Sequence, residues 1–142
     1  MGISSILREK GGEVATIPVT NPVRDVVAEL VVRRIGALLV VDGNAIVGLV
    51  SERDIVRALA ADGAAALDRP ARDVMTSPVV TITPHDSVNM AMELMTGRRI
   101  RHLPVVEDGR LVGLVSIGDL VKRRIEEVEQ EALALKDYIA TG

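Results

Sequence analysis

A chain of 142 residues carrying a net charge of −3 has the size of one ordinary domain. Its charges are spread along the chain, which excludes the concentrated basic field that coating a nucleic acid requires. The longest apolar runs, such as Ala37 to Val41, are too short to cross a bilayer, and the absence of cysteine excludes a disulfide framework, a thiolate nucleophile and a cysteine metal site.

No basic start followed by an apolar signal segment is present, so the expected compartment is the cytoplasm. Met1-Gly2 offers a myristoylation start, but Ile6 stands where Ser or Thr is needed. With no Phe or Trp and one Tyr, the core has to be built from Val, Leu, Ile, Ala and Met. Any purine held here rests on aliphatic side chains.

In chain order, residues 1–13 read as an N-terminal helix, followed by a short strand at Ala15 to Val19. Asn21-Pro22 marks a helix start, with Asn as cap and Pro in the first turn, and the helix runs to about Arg34. Leu38 to Val41 and Ile46 to Val50 flank Asp42-Gly43-Asn44, a hairpin composition, and a helix follows directly. Residues 61–78 are Ala-rich and turn through Asp68-Arg69-Pro70, which reads as a linker. Thr81-Ile82-Thr83 is a second short strand, Asp86 is a cap, and Val88, Met92 and Met95 recur at helical spacing before Gly97 closes the helix. Leu103 to Val106 and Leu111 to Val115 form a second hairpin around Glu107-Asp108-Gly109-Arg110, again followed by a helix. In the last segment, 123–142, Ile125, Val128, Ala132, Leu135 and Ile139 make a heptad-like stripe. The stripe needs a partner surface, either the helix's own domain or a second copy.

This order contains one unit twice. Val23 to Val56 matches Val88 to Val121 at an offset of 65 positions, without gaps and with 14 identities in 34 pairs. The expected fold class is therefore α/β (α+β): two β-α-β-β-α repeats, at 14–60 and 79–122, with extra helices at both ends.

The unit most able to carry chemistry is Gly-Leu-Val-Ser-x-x-Asp, at Gly48 to Asp54 and Gly113 to Asp119. The glycine allows close backbone approach. The Ser hydroxyl and the free N–H groups of a helix's first turn donate to an anion, and an Asp one turn in accepts ribose hydroxyls. A second reading is structural: Ser51 and Ser116 are N-caps, with Asp54 and Asp119 closing capping boxes. Sequence logic alone leaves both open. His85 reads as a solvated turn residue and His102 as the better ligand candidate; two histidines without cysteine fall short of a metal ligand set. The clusters Arg98-Arg99-Arg101 and Lys122-Arg123-Arg124 read mostly as solvated helix ends, with a functional role reserved for Arg101.

The tandem Leu-Pro-Val-Val, acidic or glycine turn and Leu-Val-Gly-Leu-Val-Ser-x-x-Asp pattern resembles the cystathionine-β-synthase (CBS) domain family, from about Val14 to Val121. The lead-in Asp73-Val74-Met75-Thr76 also resembles that of a second CBS domain, and the whole is similar to stand-alone bacterial two-domain Bateman modules. The resemblance implies a pseudo-twofold pair with two clefts between the repeats, each holding an adenosyl ligand such as AMP, ADP, ATP, NAD or S-adenosylmethionine. Carried over by position, Asp54 and Asp119 would hold ribose, and Ser51 and Ser116 would sit near ribose or phosphate. Met75, Val80 and Ile100 would face adenine in the Asp54 cleft, with Arg101 and His102 toward phosphate. Ala15, Ile35, Gly36 and Ala37 would serve the Asp119 cleft.

The clefts are chemically unequal, because Gly36-Ala37 replaces Arg101-His102. Arg53 beside Asp54 adds a guanidinium suited to phosphate, where the other repeat has Gly118. The leading expectation is a non-catalytic, homodimeric sensor of adenine nucleotides that signals to a protein partner, without a metal, a catalytic cofactor, a nucleic acid or a membrane. The alternative is a ligand-independent dimeric scaffold. An enzyme is disfavoured: no nucleophile, base and orienting group assemble in the sequence, and neither a G-x-G-x-x-G nor a P-loop is present.

Overall fold

The computed structural model describes residues 2–141; Met1 and Gly142, the outer ends of the expected segments 1–13 and 123–142, lie outside the described residues. The chain divides into two compact units, Val14–Val80 and a second made of the residues up to Glu13 together with those from Thr81 onward.

In Val14–Val80, β1 (Thr16–Pro18) lies parallel to β2 (Ala37–Asp42), which pairs antiparallel with β3 (Ala45–Ser51). α2 (Val23–Arg33) connects β1 to β2, and α3 (Glu52–Asp62) leaves β3 without a loop. The helix start differs from the expected one. Pro22, in extended conformation, occupies the cap position, because the Asn21 carbonyl is engaged by the Ala71 N–H at 2.7 Å; the Asn21 amide donates instead to Asp25. Residues expected to link the repeats are folded onto this unit: a 3-10 turn at Gly63–Asp68 and α4 (Ala71–Val74), with Ala66 and Ala71 fully buried. Small side chains there let the segment pack closely on the sheet and helices.

The second unit contains α1 (Ile3–Lys10), α5 (Val88–Arg98), the hairpin of β4 (His102–Glu107) and β5 (Arg110–Ser116), and α6 (Ile117–Thr141). The strand expected at Thr81 to Thr83 shrinks to one parallel bridge, Ile82 to Val105. Its partner strand explains why: in the first unit the Leu39 N–H donates to the Ala15 carbonyl, and the matching residue in the second unit is Pro104, which has no N–H to extend the ladder. Ser87, not Asp86, caps α5, its Oγ accepting from the Met90 N–H, while the Asp86 carboxylate accepts from the Thr83 N–H across the Pro84-His85 turn.

Gly97 does not close α5. The left-handed residue is Arg99 (φ 55), as it is Arg34 (φ 54) at the end of α2. Each is followed by an isoleucine whose N–H reaches back to Leu30 or Met95, at 3.1 and 3.0 Å. This is a Schellman cap, in which the apolar residue after the turn folds onto the helix's last turn. The position of Ile35 or Ile100 thus decides where the helix stops.

The repeat offset is written into the cores. The buried residues Ile17, Val23, Val26, Leu30, Leu38, Val40, Val50 and Ile55 correspond one by one, 65 positions on, to buried Ile82, Val88, Ala91, Met95, Leu103, Val105, Val115 and Leu120. Both hairpins also carry a register shift at the same place, between Val40 and Val41 and between Val105 and Val106, which leaves Val47 and Val112 as bulged residues just before Gly48 and Gly113. Truncating Leu38 or Leu103 to Ala should cost about 2–5 kcal/mol in urea unfolding, whereas Val56→Ala, on an exposed helix face, should change stability by less than about 0.5 kcal/mol.

Candidate functional site

Both Ser-x-x-Asp motifs form capping boxes. The Asp54 N–H donates to Ser51 Oγ, and the Ser51 N–H donates to Asp54 Oδ2 at 2.8 Å; Ser116 and Asp119 repeat both bonds. The box uses one carboxylate oxygen and leaves the other aimed away from the helix end. The capping and ligand-binding readings of the motif are therefore compatible: the cap orients a carboxylate whose second oxygen is presented elsewhere.

For Asp54 that second oxygen, Oδ1, accepts the Thr76 hydroxyl at 3.0 Å. Asp54 is the only charged residue buried among the described residues. It lines a cavity of about 340 Å³ with Arg57, Ala58, Arg69, Asp73, Val74, Met75 and Thr76, all within Val14–Val80. The Thr76 backbone pairs with Leu49 in both directions, which holds the segment against β3. Met75 lies across Gly48, where any Cβ would collide with its side chain. The close approach that Gly48 permits is thus to Met75.

The cavity's cations differ from those singled out in the sequence. Arg53 is exposed and not among the lining residues, whereas Arg57, one turn after Asp54 on the same helix face, is. Arg69 is engaged by Asp62 at 2.5 Å and Asp73 at 3.7 Å; Arg57 forms no ion pair among the described residues. The i, i+3 spacing to Asp54 was a sequence signal for Arg57, hidden by the nearer Arg53.

Asp119 is held differently. Lys10 of α1 donates to Asp119 Oδ2 at 2.6 Å and to the Leu114 carbonyl at 2.9 Å. Leu7 of the same helix covers Gly113 as Met75 covers Gly48. Burial pushes the Asp119 carboxyl up, but the Lys10 and Ser116 hydrogen bonds and the Lys10 charge outweigh it and hold the group below the usual carboxylate range. A smaller cavity of about 190 Å³ lies here, lined by Lys10, Asp119, Lys122 and Arg123 among others. Arg123 is not a solvated helix end as expected: α6 runs on past it, and its guanidinium faces Glu9 and Glu126 with 16% of the side chain exposed.

The remaining expected residues sit around the two motifs within their own units. Ala37 opens β2 opposite Ser51, the Gly36 carbonyl accepts from the first helical N–H of α3, and Ala15 and Ile35 pack half-buried on the core; Val80 is half-buried and outside the cavity lining. His102 opens β4 opposite Ser116, Arg101 is exposed with its carbonyl accepting from the Ile117 N–H, and Ile100 closes the α5 cap. Gly118 has only Ser116 Oγ near its Cβ direction. His85 is exposed, 4.0 Å from Glu107. No group of three or more potential metal ligands occurs among the described residues, and no helix there is long and apolar enough to cross a membrane.

The CBS domain family model matches twice, over residues 3–61 and 71–126, so the chain belongs to the CBS domain family as a tandem pair. The chain is 35% identical over 149 aligned residues to the CBS domain-containing protein CBSX3, mitochondrial, of Arabidopsis thaliana, covering 99% of this chain and 72% of that protein. The crystal structure of the CBS-domain containing protein ATU1752 from Agrobacterium tumefaciens superposes with a TM-score of 0.85 at 38% identity, over 87% of this chain and 99% of that one. The CBS domain protein PAE2072 from Pyrobaculum aerophilum, complexed with AMP, does so with a TM-score of 0.74 at 36% identity, over 84% and 89%.

The depressed Asp119 pKa contributes stability that is present above the unfolded value, about 3.9, and is lost as the pH falls through the lower folded value. Lys10→Met should therefore lose less urea stability than wild type between about pH 5 and pH 3, read from unfolding midpoints of the two proteins.

Proposed function

We propose that this chain is a non-catalytic, cytoplasmic sensor that binds an adenine nucleotide at the Asp54 motif and passes its occupancy to a protein partner as a homodimer. The observation that carries the reading is the carboxylate of Asp54, oriented by its own cap into a cavity that also holds Met75 and the unpaired guanidinium of Arg57. In this reading Asp54 accepts the ribose hydroxyls, Met75 lies against the adenine, and Arg57 meets phosphate oxygens. A guanidinium suits phosphate because its fork of donors matches two oxygens at once. Membership of the CBS family and the AMP bound to the P. aerophilum relative support an adenosyl ligand.

The two motifs are proposed to act unequally. The Asp54 oxygen left over by the cap accepts the neutral Thr76 hydroxyl, which a ribose hydroxyl can replace like for like; Lys10 instead bonds Asp119 at the same Oδ2 that its cap uses, and its charge, in a bond roughly twice as strong as a neutral one, weakens that carboxylate as an acceptor for ribose. The Asp54 site therefore fills first. Ligand shifts the module only to the extent that it prefers one arrangement over another.

Isothermal titration of AMP, ATP, NAD and S-adenosylmethionine into wild type, Asp54→Asn and Arg57→Ala tests this. At least one of the four should bind wild type. Asp54→Asn should weaken it about tenfold to a hundredfold, the worth of a hydrogen bond to a charged group. Arg57→Ala should weaken the phosphate-bearing ligands and leave S-adenosylmethionine, which has no phosphate, unaffected. A ligand at 100 times its Kd should also stabilise the fold by about 2.7 kcal/mol. No heat and no thermal shift with any of the four would leave the ligand-independent scaffold as the better reading.

A further inference from the structure

We propose that the distal part of α6 is one strand of a parallel, in-register, two-stranded coiled coil with a second copy of this chain. The proposal rests on the homodimeric part of the function above and is independent of its ligand. Along α6, Leu120 is buried and Arg123 and Glu127 turn toward their own unit, but every residue from Val128 to Thr141 is exposed. On the outer face Val121, Ile125, Val128, Ala132, Leu135 and Ile139 follow one another at steps of 4, 3, 4, 3 and 4, and the two furthest from the core are also uncovered, Leu135 at 60% and Ile139 at 70%. The stripe is therefore not absorbed by its own domain.

That spacing puts Ile125, Ala132 and Ile139 at the a positions of a heptad and Val121, Val128 and Leu135 at the d positions. Ile125 and Ile139 at a, with Leu135 at the d position between them, carry the β-branched-a, leucine-d chemistry that favours two strands, and Ala132, Val121 and Val128 are the smaller residues of the same seam. The flanking charges choose the occupant and its direction. Lys122, Glu129 and Lys136 fall at e; Arg124, Glu131 and Tyr138 fall at g. In a parallel pair each g residue meets the e residue five positions on in the other strand. Arg124 then meets Glu129 of the second copy and Glu131 meets Lys136 of the second copy, and the twofold axis makes each attractive pair twice.

In the antiparallel register that layers Ile125 on Leu135 and Ile139 on Val121, Lys122 would lie beside Lys136, and Glu129 and Glu131 would each face their own copies. Every charge-on-charge contact would be repulsive. Among the described residues Glu129, Glu131 and Lys136 form no ion pair within the chain, and Arg124 has only a 3.5 Å contact with Glu127. The charges are thus free to select a copy of the same sequence running the same way.

The chain has no cysteine, so a single introduced thiol reports the geometry. In Ile139→Cys a parallel pair brings the two Cα atoms into disulfide range, about 4.4–6.8 Å. An antiparallel pair separates them by about 27 Å along the axis. Oxidised Ile139→Cys should therefore migrate as a cross-linked dimer. Light scattering of the wild-type chain should give twice 15.2 kDa, and Leu135→Asp should give the monomer with unchanged circular dichroism, because position 135 is exposed in its own fold. Arg124→Glu should weaken the dimer about tenfold, and adding Glu129→Arg should restore it. A monomeric wild type, a dimer that survives Leu135→Asp, or the absence of cross-linking in Ile139→Cys would each overturn the proposal.

Discussion

The structure depends on one hydrogen bond made twice: the backbone N–H of a serine at the end of a hairpin donates to the carboxylate of the aspartate three residues later, at 2.8 Å in both repeats. It ends a strand and begins a helix in the same residue, with no loop between them. Without a loop, the aspartate is carried in the first turn of a helix that continues directly from the strand. The register shift just upstream and the glycine beside it then bring a second segment across the hairpin, Met75 in one unit and Leu7 in the other. The capped aspartate and the long-range contact thus lie within a few residues of each other at the end of the same hairpin.

The two units diverge at that contact. Asp54 shares its free oxygen with a hydroxyl, a group of the same chemistry as a sugar's, whereas Asp119 is neutralised by an ammonium group 109 positions away in the chain. The sequence comparison of the repeats exposes one source of inequality, Gly36-Ala37 against Arg101-His102. The packing exposes a second, since each aspartate meets a different neighbour. Both make the two motifs chemically unequal.

What could be read from sequence was whatever is set within a turn or two of chain. The hairpins, the longer helices and the core follow from apolar spacing, whereas α4 and the 3-10 turn before it were read as linker, and the 65-residue offset pairs buried residues one by one. The misread starts and stops were decided by backbone groups bonding elsewhere: Asn21 is engaged by Ala71, Pro104 withholds a donor from the short strand, and Ile100 pulls the end of α5 past Gly97. Arg57 was hidden for a related reason. Adjacency in sequence favoured Arg53, but on a helix the residue one turn away shares the face and the next-door residue does not. Lys10 gave no local signal at all, because nothing near it in the chain shows that α1 packs beside Asp119.

That placement of α1 has a consequence for how the molecule is made. Val14–Val80 is one uninterrupted stretch of chain. The other unit is split, its first helix synthesised before the first repeat and its last contacts, Leu114 and Asp119, more than a hundred residues later. Residues 3–10 can reach those contacts only after the whole of Val14–Val80 has been synthesised between them. Closing so long a loop adds little equilibrium cost, since the entropy grows only with the logarithm of length, but it slows the search. The helix that shields Asp119 in the finished protein is therefore a late-closing latch on a nascent one.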